Sequence, residues 1–420
     1  MDETPVVTVF LRNDSDVLLL RRSDAVGSYS GQWGTVAGHA EGSPDAQALV
    51  EIREETGIDP ETVAFVRRGE RFAVEDAGLD TRWLVTPYLF DVDRRDVEPN
   101  EETTTVEWVR PPEILRRETV PDLWESYWRV APTVAAIRAD EEHGSAFLSL
   151  RALDVLRDAA ALAVEGETGD WRSLVATARA LLDARPSMAA LANRVNRTMA
   201  AAIDERTPGA VERAANEAID AALAADREAA TAASSLVEDE DAVTLSRSGT
   251  VLRALEAGAP TTVTVAESRP GGEGVAVAET LAESGHEVTL TTDANVPAAV
   301  ETASVCLFGA DAVLPDGTVV NKVGSRSAGL AATDADVPCY AVCASDKIAV
   351  EGDVDLPDDD PASLYDGDAP VTVANPTFET VPSRLLDGVV TEAGVLDADR
   401  IAGLASVHAA RARWPERLEE

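Results

Sequence analysis

The stretch that most constrains this chain is 38–58, GHAEGSPDAQALVEIREETGI, where Glu51, Glu54 and Glu55 stand at i, i+3 and i+4. Only a helix can use that spacing: it stacks the three side chains on one face, with Cβ atoms roughly 5–6 Å apart. Ser43 and Pro44 read as an N-cap and first-turn proline, and Gly57 as a C′ glycine. The acidic turn therefore lies at the helix C-terminal end, where carboxylates oppose the macrodipole. Like charges so placed are tolerated on a solvated face, or around a hard divalent cation that neutralises them.

Glu51, Ile52, Glu54, Glu55, Gly57 and Ile58 match in register the second half of a signature, G-x5-E-x7-R-E-U-x-E-E-x-G-U with U apolar, and the chain here resembles the Nudix hydrolase family. Two positions depart from it. Val50 occupies the signature arginine, and Gly42 stands where the first glutamate belongs, with Glu41 beside it. The resemblance implies an α/β/α sandwich that holds Mg²⁺ or Mn²⁺ through Glu51, Glu54 and Glu55, with Glu102 resembling an additional metal-binding or basic carboxylate. Glu51 or Glu55 would then activate a water against a pyrophosphate.

The order of elements fits that sandwich. Residues 6–11 and 17–22 read as a hairpin turned at Asn13, Asp14 and Ser15, residues 31–38 lead into the acidic helix, and 64–72, 83–92 and 106–109 read as strands before Pro111-Pro112-Glu113. From about 125–140 the chain becomes alanine-rich with helical periodicity, through 144–164, 173–184, 188–201 and 210–236. After 242 strands at 243–245, 261–266, 287–292, 304–308, 319–321 and 339–342 alternate with helices, which reads as a doubly wound parallel sheet. The expected fold class is α/β in three segments: 1–130 the sandwich, 131–240 a helical subdomain, and 241–420 a Rossmann-like domain.

Ligands in such sheets bind beyond the carboxyl ends of the strands. Polar turns fall there at 246–249, 267–270, 293–294, 309–311 and 321–322, marking an anionic ligand's site from Ser246, Ser248, Arg269, Asn321 and Lys322. Arg185, ahead of Pro186, is held away from αR and reads as a guanidinium aimed outward.

Over about 130–420 the chain resembles the translation initiation factor 2B alpha/beta/delta subunit family, which includes the ribose-1,5-bisphosphate and methylthioribose-1-phosphate isomerases. The carrying motifs are Arg185-Pro186-Ser187, the run from Thr250, Glu267-Ser268-Arg269-Pro270 with Glu273-Gly274, Gly309-Ala310-Asp311, Asn321-Lys322-Val323-Gly324, and Asn375-Pro376 through Thr391–Val395. In the isomerases Asp311 would shuttle a proton, with a cysteine as its partner where this chain has Ser246. His143 stands where they carry an arginine. A hydroxyl is far less acidic than a thiol, so the expectation is sugar-phosphate or nucleotide binding through Arg185 and Lys322 without isomerisation. The family also implies a homo-oligomer through this region.

Composition bounds the rest. The chain of 420 residues carries 76 acidic against 36 basic residues, a net charge of -40, and its only lysines are Lys322 and Lys347. Such an acid-coated, arginine-over-lysine balance fits concentrated salt, where screening removes self-repulsion. It excludes nonspecific nucleic-acid binding, which needs clustered cations. Cys306, Cys339 and Cys343 show no metal-ligand spacing and read as buried thiols. No signal peptide and no apolar run near 18 residues is present, giving the expectation of a cytoplasmic protein away from membranes. The acidic loop 351–368 reads as solvated or disordered. The combined expectation is a metal-dependent hydrolase of a nucleoside diphosphate derivative fused to a module for a small phosphorylated ligand. The alternatives are a sugar-phosphate isomerase and a noncatalytic regulatory subunit.

Overall fold

The computed structural model describes residues 2–40, 42–166, 169–352, 356 and 358–418. Glu41 lies outside the described residues, as do 353–355 and 357 of the acidic loop. The chain divides into two compact units, 1–136 with 154–174, and 137–153 with 175–420. The first unit thus recruits a helical stretch, 154–174, that the order of segments along the sequence assigns to the region beyond it.

In the first unit Asp2–Asn13 pairs antiparallel with Asp16–Arg22 through Arg12↔Val17 and Asn13↔Asp16, the expected hairpin. It also runs parallel to Thr81–Asp91 and antiparallel to Val36–His39. Alternation decides where these strands place their side chains. Val7, Val9, Leu11, Leu18 and Leu20 join Ala48 and Ile52 of the acidic helix, while Phe10, Val17 and Leu19 join Ile114, Leu123 and Tyr127. One sheet with a core on each face and helices over both is the sandwich that the strand order implied.

A buried ion network ties 154–174 into this unit. Arg157, fully buried, donates to Asp154 at 2.7 Å and Asp158 at 2.8 Å and reaches the Ser15 carbonyl at 3.2 Å, and the Tyr127 hydroxyl donates to Asp158 at 2.8 Å.

The second unit holds a seven-stranded sheet in the order Val288–Thr291, Thr262–Ala266, Asp241–Thr244, Val305–Gly309, Cys339–Val342, Gly388–Thr391 and Gly394–Leu396, parallel up to its last strand. Cys306, Phe308, Cys339 and Ala341 enter one core, and Val305, Leu307 and Val342 the opposite one, as a sheet covered on both faces requires. One expected strand belongs elsewhere. Residues 319–321 fall in Val319–Lys322, which pairs antiparallel with Ala312–Val313 and Phe378–Val381 in a separate three-stranded sheet. Its buried apolar start looks locally like a strand of the parallel sheet, and only the pairing distinguishes them. The three cysteines are buried and free, and burial pushes the Cys343 thiol up to about 12. No helix among the described residues is long and apolar enough to cross a membrane.

Candidate functional sites

The acidic helix spans Pro44–Thr56 and ends on Gly57 at φ 67°, as its glycine implies, although the Ser43 side chain makes no capping bond. Its buried face is Ala48, Ile52, Glu55 and Thr56, so the three carboxylates straddle the edge of that face. Glu54 is exposed, Glu51 half-buried and Glu55 buried. Glu55 Oε1 accepts the Ala37 N–H at 3.2 Å, and Gln47 Nε2 donates to Glu51 Oε1 at 2.8 Å, one turn before it. Val50, in the signature arginine's place, is 44% exposed, and Gln47 holds Glu51 instead. Glu51 in turn lies over Gly38, where an added Cβ would sit 1.7 Å from Oε1, so Gly38 makes room for the carboxylate.

These carboxylates feel one another. Burial first, then the charges of Glu51 and Glu102, push Glu55 up to about 8, opposed by the Ala37 N–H and Arg22. Glu51 is raised by burial and by Glu54 and Glu102. The oxygen donor set suits a hard divalent cation, which would relieve this repulsion. The four-carboxylate centre expected at Glu51, Glu54, Glu55 and Glu102 is nevertheless not assembled as the side chains stand. Among the described residues no group of three or more His, Cys, Asp or Glu is arranged to hold a metal ion, because Glu55 is turned inward to Ala37 and Glu51 toward Gln47.

Beside the helix lies an aromatic corner that periodicity did not reveal. Trp83 Nε1 donates to the Tyr29 hydroxyl at 3.0 Å, that hydroxyl donates to Asp76 at 2.8 Å, and His39 packs on Trp83 at 6.1 Å between ring centres.

In the second unit the polar turns gather at the strand ends. Lys322 is 5% exposed and its Nζ stands 2.6 Å from Glu273 Oε1. The Ser246 hydroxyl points to the same Oε1 at a long 3.4 Å, while the Ser246 N–H donates to Ser268 Oγ at 2.6 Å. Half-buried Asp311 is raised by loss of water and by Glu273, and held back by Lys347 and Lys322. Lys347 Nζ donates to the Ala310 carbonyl at 2.6 Å. The charges of both lysines of the chain therefore act on Asp311, while Lys322 itself is paired with Glu273 and Lys347 with the Ala310 carbonyl.

The remaining expected ligands divide. Ser248 caps the helix Gly249–Gly258 and packs so closely on Gly309 that an added Cβ there would lie 2.7 Å away. Arg269 is an exposed cation, with Nε 3.2 Å from Glu267. Asn321 is buried and donates to Ser325 at 2.8 Å, a structural bond. Arg185 is not turned outward, because its guanidinium donates to the carbonyls of Ile137 and Asp140. Free carbonyls at a helix end attract such a fork, and this local demand outweighs the bias from Pro186. His143 pairs with Asp140 at 2.8 Å and stacks on Phe147. Glu273 and Lys347 were missing from the sequence-based ligand set. The signal available for Lys347 was the rarity of lysine itself.

Comparison with known proteins follows the same division. Residues 141–398 match the initiation factor 2 subunit family, and residues 2–130 match the NUDIX domain. A ribose 1,5-bisphosphate isomerase of Haloterrigena turkmenica is 29% identical over 310 residues, covering 66% of this chain and 93% of that protein. A putative translation initiation factor eIF-2B subunit 2-like protein of Pyrococcus horikoshii is 34% identical over 180 residues, 41% of this chain and 63% of that protein. The crystal structure of the Pyrococcus horikoshii OT3 translation initiation factor eIF-2B superposes with a TM-score of 0.54 at 26% identity, covering 63% of this chain and 94% of that one.

Proposed function

Because this chain belongs to the initiation factor 2 subunit family and carries a NUDIX domain ahead of that region, we propose that it is a two-site enzyme of phosphorylated metabolites. In the second unit it binds and isomerises a phosphorylated pentose, the class named by its ribose 1,5-bisphosphate isomerase relatives. The observation that carries this reading is the placement of Lys322 on Glu273 at 2.6 Å and of Lys347 on the carbonyl of Ala310, the residue before Asp311, at 2.6 Å. A chain with 34 arginines has both of its lysines there, where compact ammonium charges meet an anion without imposing a planar fork. Titration calorimetry with ribose 1,5-bisphosphate in concentrated KCl is expected to give saturable binding. Lys322→Ala is expected to weaken it about tenfold or more, the loss of a charged hydrogen bond. Binding unchanged in that variant would remove the site from Lys322.

A second reading concerns the acidic helix, favoured by the coupling of Glu51, Glu55 and Glu102. We infer that it hydrolyses a nucleoside diphosphate derivative, with Glu51, Glu54, Glu55 and Glu102 holding Mg²⁺ or Mn²⁺. The cation would neutralise the pyrophosphate. The chain's own part is that Glu51 or Glu55 takes a proton from the attacking water, while Ile52 and Ala48 anchor the helix in the core. Glu54→Gln is expected to abolish Mg²⁺-dependent phosphate release with the fold intact, since Glu54 is exposed. Assembly into a homo-oligomer through the second unit is part of the same proposal, to be checked by light scattering.

A further inference from the structure

We propose that Glu273 and Asp311 are the acid/base pair of the second unit's site, Glu273 supplying the proton-transfer group that a thiol at Ser246 would otherwise provide. This rests on the reading that the site takes a phosphorylated pentose. The serine hydroxyl is too weak an acid to fill that role, but it does not stand alone: it points at Glu273 Oε1, on which Lys322 Nζ also converges at 2.6 Å. The second oxygen, Glu273 Oε2, is buried and has no hydrogen-bond partner. It hangs over Gly271, where a Cβ would stand 2.4 Å away, so the glycine leaves the space the carboxylate occupies. The turn that presents it is pinned from behind, since a Cβ on Gly274 would lie 1.8 Å from the Ala266 carbonyl. A buried polar atom left without a partner costs about 1–3 kcal/mol and marks a place where a ligand completes the structure.

The two carboxylates differ in their surroundings, and groups whose environments diverge divide acid from base. Glu273 has an ammonium at contact distance and a hydroxyl aimed at it, so one oxygen is held in place while the other is left open. Asp311 has lost water and faces the Glu273 charge, which favours the acid. With an aldose 1-phosphate in place, Asp311 gives its proton to the ring oxygen as the C1–O bond breaks and its electron pair moves to that oxygen. Glu273 takes the proton from C2, and the C2–H electron pair becomes the C1=C2 double bond of an enol phosphate. Glu273 then returns that proton to C1 while the C2 hydroxyl proton passes to Asp311, leaving a ketone at C2 and both carboxyl groups as they began. No oxidant, metal or co-reactant enters the balance. Ser246 is a positioning residue in this scheme, and Lys322 pairs with Glu273 and meets the phosphate.

The test uses the full chain in concentrated KCl with ribose 1,5-bisphosphate, following the 2-ketose bisphosphate by ³¹P and ¹H NMR and binding by calorimetry. The expected result is ketose formation by the parent, a loss of about a hundredfold or more in kcat for Glu273→Gln and for Asp311→Asn with sugar-phosphate binding retained, and less than a tenfold loss for Ser246→Ala. Retained binding certifies that the variants are folded, and Glu273→Asp is expected to recover part of the turnover. Parental turnover in Glu273→Gln overturns the pair, and so does a parent that binds the sugar phosphate and forms no ketose. No binding by the parent overturns the reading beneath it as well, which keeps the two failures apart.

Discussion

Glu55 carries the clearest dependence on pH at the level of single residues. Its carboxyl is at about 8 in the folded chain against an ordinary 4.5, so the folded state holds a proton that the unfolded state has released. That contribution to stability is fully present below pH 4.5 and is lost as pH rises through 8, a difference of about 5 kcal/mol. In a chelator, Glu55→Gln is expected to flatten the fall in Tm between pH 6 and 9 and to be the more stable form at pH 9. An unchanged slope would mean that Glu55 is already ionised at neutral pH. Mg²⁺ binding at pH 7 is expected to release protons, read in buffers of different ionisation enthalpy, because a ligand carboxyl must deprotonate. The acidic triad itself was legible because its spacing admits only a helix. What the spacing left open was which carboxylate faces inward, since that depends on the placement of Ala37 and on Gly38 yielding room to Glu51. Arg185 failed for the same reason: its proline neighbour constrains the backbone, whereas its partners are carbonyls 45 and 48 residues away in the chain.

Elements read well where a face had to be buried and poorly where identity depended on a partner. The hairpin, the acidic helix and the parallel strands follow from alternation and from caps that act within a few residues. Val319–Lys322 did not, because a short buried run does not encode which sheet it enters. It still brings Lys322 to Glu273, in the turn that follows Thr262–Ala266, although its strand was misassigned. The helix Ser145–Val164 looks like plain alanine-rich packing, yet it carries Arg157 between Asp154 and Asp158. Removing one member strands the others in the interior, so Arg157→Met is expected to cost about 3–5 kcal/mol, measured by urea unfolding in high salt. The triple change Arg157→Met with Asp154→Leu and Asp158→Leu is expected to recover most of that loss. A single variant within about 0.5 kcal/mol of the parent would show that the network contributes nothing net.

Charge governs the whole molecule. With 76 acidic against 36 basic residues, each unit must close its core against repulsion distributed over its surface. Arginine supplies 34 of those 36 cations and is spent locally, on pairs such as Arg213 with Glu205 at 2.7 Å and Arg82 with Glu3 at 2.6 Å, both exposed. Exposed pairs of that kind contribute about 0–1 kcal/mol each and leave most of the repulsion in place. Screening removes it more effectively: the Debye length falls from about 30 Å at 0.01 M salt to about 3 Å at 1 M, shorter than the spacing of most surface carboxylates. The chain is therefore expected to lose far-UV ellipticity and both ligand affinities on dialysis into dilute buffer, and to regain them above about 1 M KCl. Because screening depends on ionic strength, NaCl and KCl should act alike at equal concentration. Mg²⁺ should act at much lower concentration on the first unit if Glu51, Glu54 and Glu55 hold it, since occupation of that site adds binding energy to screening. A chain that keeps its ellipticity and its Tm at 0.01 M salt would show that its cores withstand the net charge of -40 unaided, and the salt requirement would then be dropped.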